Sequence, residues 1–110
     1  MLNNKHFKAS SNSESGEVSE ETIFHYRQDD TIIWGTYRGG DVKFGTLSGY
    51  IKDGKHLVFH YQHLNQSGEF KGGVCNSEVS VDPSGKIVLN ENWEWTLGGE
   101  GTGTSVLKEI

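Results

Sequence analysis

This sequence predicts an all-β fold: an antiparallel up-and-down meander of about eight strands closing into a barrel, with a β-sandwich as the alternative. Three observations carry that prediction. Short runs of alternating apolar and polar residues recur along the chain, and no window shows helical periodicity. The 110 residues hold 15 glycines against one proline, and the glycines stand at the ends of those runs or inside them. There they mark turns, bulges and close approaches to the backbone. Finally, most connections are tight turns, and only the segments near 10–21 and 97–102 are long enough for a sandwich crossover.

A short strand around residues 6–9 comes first. Residues 10–21, SSNSESGEVSEE, are polar, serine-rich and acidic and read as a mobile loop. Strands follow at 22–28 and 31–38, turning at Asp29-Asp30 and then at Gly39-Gly40. Residues 42–52 lead to Asp53-Gly54, a two-residue hairpin signal. Residues 55–64 lead to Asn65-Gln66-Ser67-Gly68, and 69–81 lead to Asp82-Pro83-Ser84-Gly85. The strand at 86–96 passes through a glycine-rich loop to a last strand at about 103–109. The length fits a single barrel domain over 1–110 with one core.

Turn chemistry aligns the faces. Asn or Asp first and Gly fourth mark a type I turn closed by a glycine bulge, setting Asn65 opposite Glu69 and Asp82 opposite Lys86. Counting inward pairs Tyr61 with Gly73, Phe59 with Cys75 and Leu57 with Ser77. The next hairpin pairs Ser77 with Glu91, Cys75 with Trp93 and Gly73 with Trp95. A two-residue turn at Asp53-Gly54 pairs Tyr50 with Leu57, Ser48 with Phe59, Thr46 with Tyr61 and Phe44 with His63. The interior face also takes Val42, Tyr37, Ile33, Tyr26 and Phe24. Leu47, Ile51 and Val58 fall on the wetter outer face, with Lys43, His56 and Asn92.

A net charge of −5 and a pI near 5.4 argue against a nucleic-acid surface, which needs clustered Lys and Arg. No run approaches the roughly 18 apolar residues of a membrane span, and residues 1–6 carry no apolar signal-peptide stretch. The single cysteine, Cys75, excludes an internal disulfide framework and fits a reducing compartment, so a cytoplasmic location is expected.

The interior face mixes aromatics with groups that hydrogen-bond or titrate, which a face meant only to pack would not need. Glu91, between Leu89 and Trp93, is the costliest of these unless paired, and reads as a ligand anchor, a general acid/base or a satisfied buried carboxylate. His63 faces inward at a strand end, where it could contact a ligand, move a proton or cap the next loop. His25, His56 and His60 fall on the outer face, so no metal site is expected. Cys75 lies among aromatics, about six strand residues from His63, and reads as structural. Trp93 and Trp95 face small residues and could wall a pocket; Tyr26, Tyr37, Tyr50 and Tyr61 each bring a hydroxyl needing a partner. The run GGEGTG at 98–103 precedes a strand and lacks the lysine and helix of a phosphate loop.

Gly45-Thr46-Leu47-Ser48-Gly49, then Tyr61-Gln62-His63, Gly73, Cys75, Ser77 and the closing Glu91-Asn92-Trp93-Glu94-Trp95-Thr96, resemble a family of small bacterial single-domain proteins that often carry the label N-acetylglutamate synthase. The resemblance covers most of the chain after about Thr22. It implies an avidin- or lipocalin-like barrel. The synthase label does not fit the residues, which offer neither a helix N-terminus nor a glycine loop for the pyrophosphate of acetyl-CoA.

The function expected is small-molecule binding in an aromatic and polar pocket formed by Tyr37, Thr46, Tyr61, His63, Ser77, Glu91, Trp93 and Trp95, without catalysis, cofactor or metal. The alternatives are a small enzyme using Glu91 as general acid/base and an interaction domain whose barrel is simply filled.

Overall fold

Buried and exposed residues alternate along the strands as a half-buried sheet requires. Leu89, Glu91, Trp93 and Trp95 are buried, while Asn90, Asn92 and Glu94 between them are exposed. The computed structural model describes residues 1–13 and 16–110. Its strands are β1 (Lys5–Asn12), β2 (Ile23–Asp29), β3 (Ile32–Gly39), β4 (Val42–Lys52), β5 (His56–Asn65), β6 (Phe70–Val81), β7 (Ile87–Leu97) and β8 (Thr102–Glu109). Each is antiparallel to the next, and β8 pairs with β1, so the sheet closes into a barrel. This is the fold expected from the sequence. β1 reaches Asn12, inside the segment read as a mobile loop; Glu14 and Ser15 of that segment lie outside the described residues.

The two glycine-bulge turns form as read. The Gly68 and Gly85 amides donate to the Asn65 and Asp82 carbonyls, at 3.0 and 2.9 Å, and both glycines are left-handed, at φ 82° and 87°. The pairs Tyr61–Gly73, Phe59–Cys75 and Leu57–Ser77 follow, and across β6 and β7 so do Ser77–Glu91, Cys75–Trp93 and Gly73–Trp95.

β4 requires a correction. Phe44, Thr46, Ser48 and Tyr50 were expected inside, yet all four are exposed; Gly45, Leu47 and Ile51 are buried instead. Two extra residues cause the inversion. Asp53 and Gly54 do turn left-handed, at φ 57° and 64°, but Lys55 is then added before pairing begins. Its carbonyl accepts from the Val79 amide at 2.8 Å, and Lys52 pairs with His56. At the strand's other end a bulge between Val42 and Phe44 flips the parity again, so Val42 stays inside. Burying Leu47 and Ile51 favours this parity by about 1.5–3 kcal/mol each. Inward glycines are also required, because the Tyr37 ring lies against Gly45 and would meet a Cβ there at 2.4 Å.

The interior is unevenly filled. Leu2, Phe7, Tyr26, Ile33, Leu57, Leu89 and Leu107 are fully buried and make a solid half. Farther along β5 and β7, the apolar Leu57 and Leu89 give way to Phe59, Tyr61 and His63 and to Glu91, Trp93 and Trp95. That second half holds the site.

Candidate functional site

Pleating delivers the site residues at every second position: Glu91, Trp93 and Trp95 from β7, Phe59, Tyr61 and His63 from β5, Tyr37 from β3 and Ser105 from β8. Small neighbours leave room for their rings. Gly103 faces Trp93 across β8, and a Cβ there would meet the indole at 2.3 Å. Gly73 separates Tyr61 from Trp95. Tyr37 stacks on Phe24, but the two indoles and Tyr61 meet at angles, with Trp93–Trp95 centroids 5.4 Å apart at 59° and Tyr61–Trp95 5.8 Å apart at 63°. Inclined rings leave a hollow where parallel ones would fill it. They border a cavity of about 40 Å³, enough for roughly three waters at the roughly 10–15 Å³ each needs.

Glu91 lines that cavity and is 7 % exposed. Ser105, its partner on β8, donates to Oε1 at 2.8 Å. Oε2 is buried without a hydrogen bond, and so are the Tyr26 and Tyr61 hydroxyls and Ser77 Oγ. Burial raises the Glu91 pKa to about 7, although Ser105 and Tyr26 favour its ionised form. Tyr26 acts here by proximity, since its hydroxyl makes no hydrogen bond of normal geometry.

At the mouth a polar chain runs inward from the segment between β1 and β2. His63 Nε2 meets Glu17 Oε1 at 2.7 Å, and His63 Nδ1 meets the Tyr37 hydroxyl at 2.9 Å. A carboxylate only accepts, so Nε2 donates; in the neutral ring Nδ1 then accepts from Tyr37. Asn65 Nδ2 and Lys71 Nζ reach Glu17 Oε2 at 3.0 and 3.2 Å. Asn65 thus shapes its turn, accepting from the Ser67 and Glu69 amides, and anchors Glu17 as well. Burial alone would raise the Glu17 carboxyl, but bonds from His63, Asn65 and Lys71 outweigh it and hold the pKa below the usual value. A lowered carboxylate contributes stability above its unfolded pKa and loses it as pH falls through the folded one. Glu17→Gln should therefore weaken the fold near neutrality and flatten the acid limb of a urea-denaturation pH profile. Identical acid limbs in both proteins would refute this role.

Cys75 is buried, and burial, with the nearby Glu91 charge, pushes its thiol pKa far up. Thiol reagents need thiolate. Native protein should therefore react with a disulfide dye at least about 100-fold more slowly than unfolded protein; fast native labelling would overturn this.

Of the sequence-derived site residues, Tyr37, Tyr61, His63, Glu91, Trp93 and Trp95 line this interior cavity together. Ser77 lies beside Glu91, buried but off the cavity wall. Thr46 is exposed on the outer surface, carried there by the inverted parity of β4. Sequence reasoning missed Glu17, Asn12 and Ser105. Ser105 was open to discovery, since counting through β8 from Glu91 reaches it; the other two flank a segment without periodicity. Among the described residues no cluster of His, Cys, Asp and Glu could hold a metal ion.

No curated protein and no solved structure matches the chain. A family model described as "Avidin-like protein" matches residues 1–110. With that match spanning the chain and eight antiparallel strands closed in sequence order, the chain belongs to the avidin-like protein family.

Proposed function

We propose that this barrel binds a small molecule in its interior cavity, without transforming it. Glu91 is the observation that carries the reading: a buried carboxyl at the cavity wall with one oxygen unpartnered. Such a group is costly unless something bonds to it. Tyr61, Trp93 and Trp95 would wall the ligand, and His63, Tyr37 and Glu17 would hold the mouth in shape. Membership of the avidin-like family is in keeping with this, because eight-stranded barrels are wide enough for one small ligand.

A thermal-shift screen against a metabolite library, read in parallel by tryptophan emission, tests the reading. A binder should raise the melting temperature and change the emission of Trp93 and Trp95. If no compound moves either signal, the pocket is only a packing feature.

One observation favours a second reading, in which Glu91 works as a general acid/base: its pKa of about 7 suits proton transfer at neutral pH. Its neighbours do not support chemistry. Burial pushes Tyr26, Tyr37, Tyr61 and Cys75 upward, leaving no activated nucleophile among them. Mass analysis of a ligand after incubation separates the two, since binding alone returns it unchanged. N-acetylglutamate synthesis is not proposed, because no helix among the described residues offers its N-terminus to a pyrophosphate. Nor is any helix there long and apolar enough to cross a membrane.

A further inference from the structure

The cavity's chemistry narrows the class of ligand, given that it binds one. Among the described residues, the buried side-chain polar atoms lacking a partner are Asn12 Oδ1, Tyr26 Oη, Tyr61 Oη, Ser77 Oγ and Glu91 Oε2. Every one is an oxygen: Asn12 Oδ1 and the ionised Glu91 Oε2 only accept, while the Tyr and Ser hydroxyls accept or donate as a ligand requires. Asn12, Tyr61 and Glu91 line the cavity itself. The orientation of Asn12 is set, because its Nδ2 donates to the Val18 carbonyl at 2.6 Å and so leaves Oδ1 as the free acceptor. The inclined rings of Trp93, Trp95 and Tyr61 line the same cavity. Acceptors set among aromatic faces, with an acid beneath, complement a cation carrying several N–H donors.

The charges agree. Tyr26 of β2, Tyr37 of β3, Tyr61 of β5 and Cys75 of β6 lie near enough to feel the charge of Glu91, with Ser77 and Ser105 beside it. None of these is a cation. No Lys, Arg or His among the described residues forms an ion pair with Glu91. Lys71, at the mouth, is already engaged with Glu17 and stands 5.8 Å from the centre of the Trp95 ring, so that indole face already accepts a positive charge. An anionic ligand would meet Glu91, and the one histidine in the wall, His63, is already bonded to the Glu17 carboxylate at 2.7 Å. The volume sets the size: about 40 Å³ admits a compact head group of a few heavy atoms, not a nucleotide or a sugar chain.

We infer that the barrel's ligand is a compact organic monocation, an ammonium or amidinium group on a short apolar stem, whose N–H groups donate to Glu91, Tyr61 and Asn12 while the rings of Trp93, Trp95 and Tyr61 enclose it. The carboxyl must ionise to pair with such a cation. Affinity should therefore rise with pH until Glu91 is ionised in the free protein.

Isobutylammonium, isobutanol and isovalerate, a cationic, a neutral and an anionic probe of similar shape, test this by calorimetry and tryptophan emission. The ammonium should bind at least tenfold more tightly than the alcohol at pH 8, with the carboxylate weakest. Its affinity should fall at least fivefold at pH 5.5. Glu91→Gln should cost tenfold or more while leaving the far-ultraviolet spectrum intact; this variant is expected to fold at least as well as the parent. Tighter or equal binding of the alcohol or carboxylate would overturn the cationic class and leave the small-molecule pocket standing. Silence from all three probes would overturn the cationic class, and the metabolite screen would then decide the pocket itself.

Discussion

Glu91→Gln should make the protein more stable at pH 8, by about 2–3 kcal/mol, and remove most of a stability decline between pH 4.5 and 7. The sign follows from the raised pKa. Below about 4.5 the carboxyl is neutral in both folded and unfolded chains, so burial costs it no charge. Between 4.5 and about 7 the unfolded chain loses the proton while the folded one keeps it, and stability falls with rising pH. At about 1.4 kcal/mol per pH unit the full decline is about 3 kcal/mol, level above pH 7. Glutamine removes the ionisation, keeps an oxygen for Ser105 and offers amide donors to the oxygens of Tyr26, Tyr61 and Ser77. For a chain of this length, the gain is a rise of roughly 10 °C in melting temperature. Urea denaturation of both proteins from pH 4 to 8 measures it, and parallel profiles would sink the claim. A gain would mean that Glu91 is retained at a cost to stability, as groups serving function often are.

Gly73→Ala should be the more damaging change, losing about 3 kcal/mol or more. A Cβ at Gly73 would lie 1.9 Å from the Glu94 carbonyl oxygen and 2.7 Å from the Tyr61 hydroxyl. A side chain can rotate away, but a carbonyl in the β6–β7 ladder cannot move without opening the pairing of Gly73 with Trp95 and Val74 with Glu94. Overpacking ordinarily costs about 1–3 kcal/mol, and collision with backbone stands at the upper end or beyond. The opening would also shift Trp95, so its emission should change even in the folded fraction. Gly99→Ala is the matched control, because a Cβ there meets the Trp95 ring at an ordinary 3.6 Å. It should stay within about 0.5 kcal/mol of the parent. Equal melting temperatures for all three proteins would refute the steric account.

These two positions also measure how much of the site could be read from the chain. Gly73 and Glu91 lie on β6 and β7, where Asn65 to Gly68 and Asp82 to Gly85 spell out the turn type and hence the register. Residue pairs across β5, β6 and β7 could therefore be counted without coordinates. β4 could not be read in that way. Lys43 and Lys55 are the extra residues that invert its parity, and nothing in a lysine marks a bulge. The Asp53-Gly54 turn therefore pointed to the wrong face for Phe44 to Tyr50, whereas Val42, placed inside through Gly39-Gly40, is inside because the bulge comes after it. The alternation of Gly45, Leu47, Gly49 and Ile51 was the available clue: Gly45 lies beneath the Tyr37 ring and Gly49 against the backbone of Val58 and Phe59, with aliphatics between. Glu17 was illegible for a different reason. It lies in a polar segment and meets His63, 46 positions away, only because the barrel brings them together. Local pattern carries no trace of such a contact.

The closing seam has a consequence for how the barrel opens. Every pairing but β1 with β8 joins strands adjacent in sequence, so most of the sheet can assemble hairpin by hairpin at small loop-closure cost. β1 must bridge the whole chain, and it is held lightly, registered with β2 only over Lys5–Lys8 and with β8 across a bulge between Ala9 and Ser11. β6 and β7, by contrast, register from Gly72 to Val81. In native-state hydrogen exchange, the amides of β1 should trade first, at a free energy well below global unfolding, with those of β6 and β7 last. The stave that makes this sheet a barrel is thus the first to leave it.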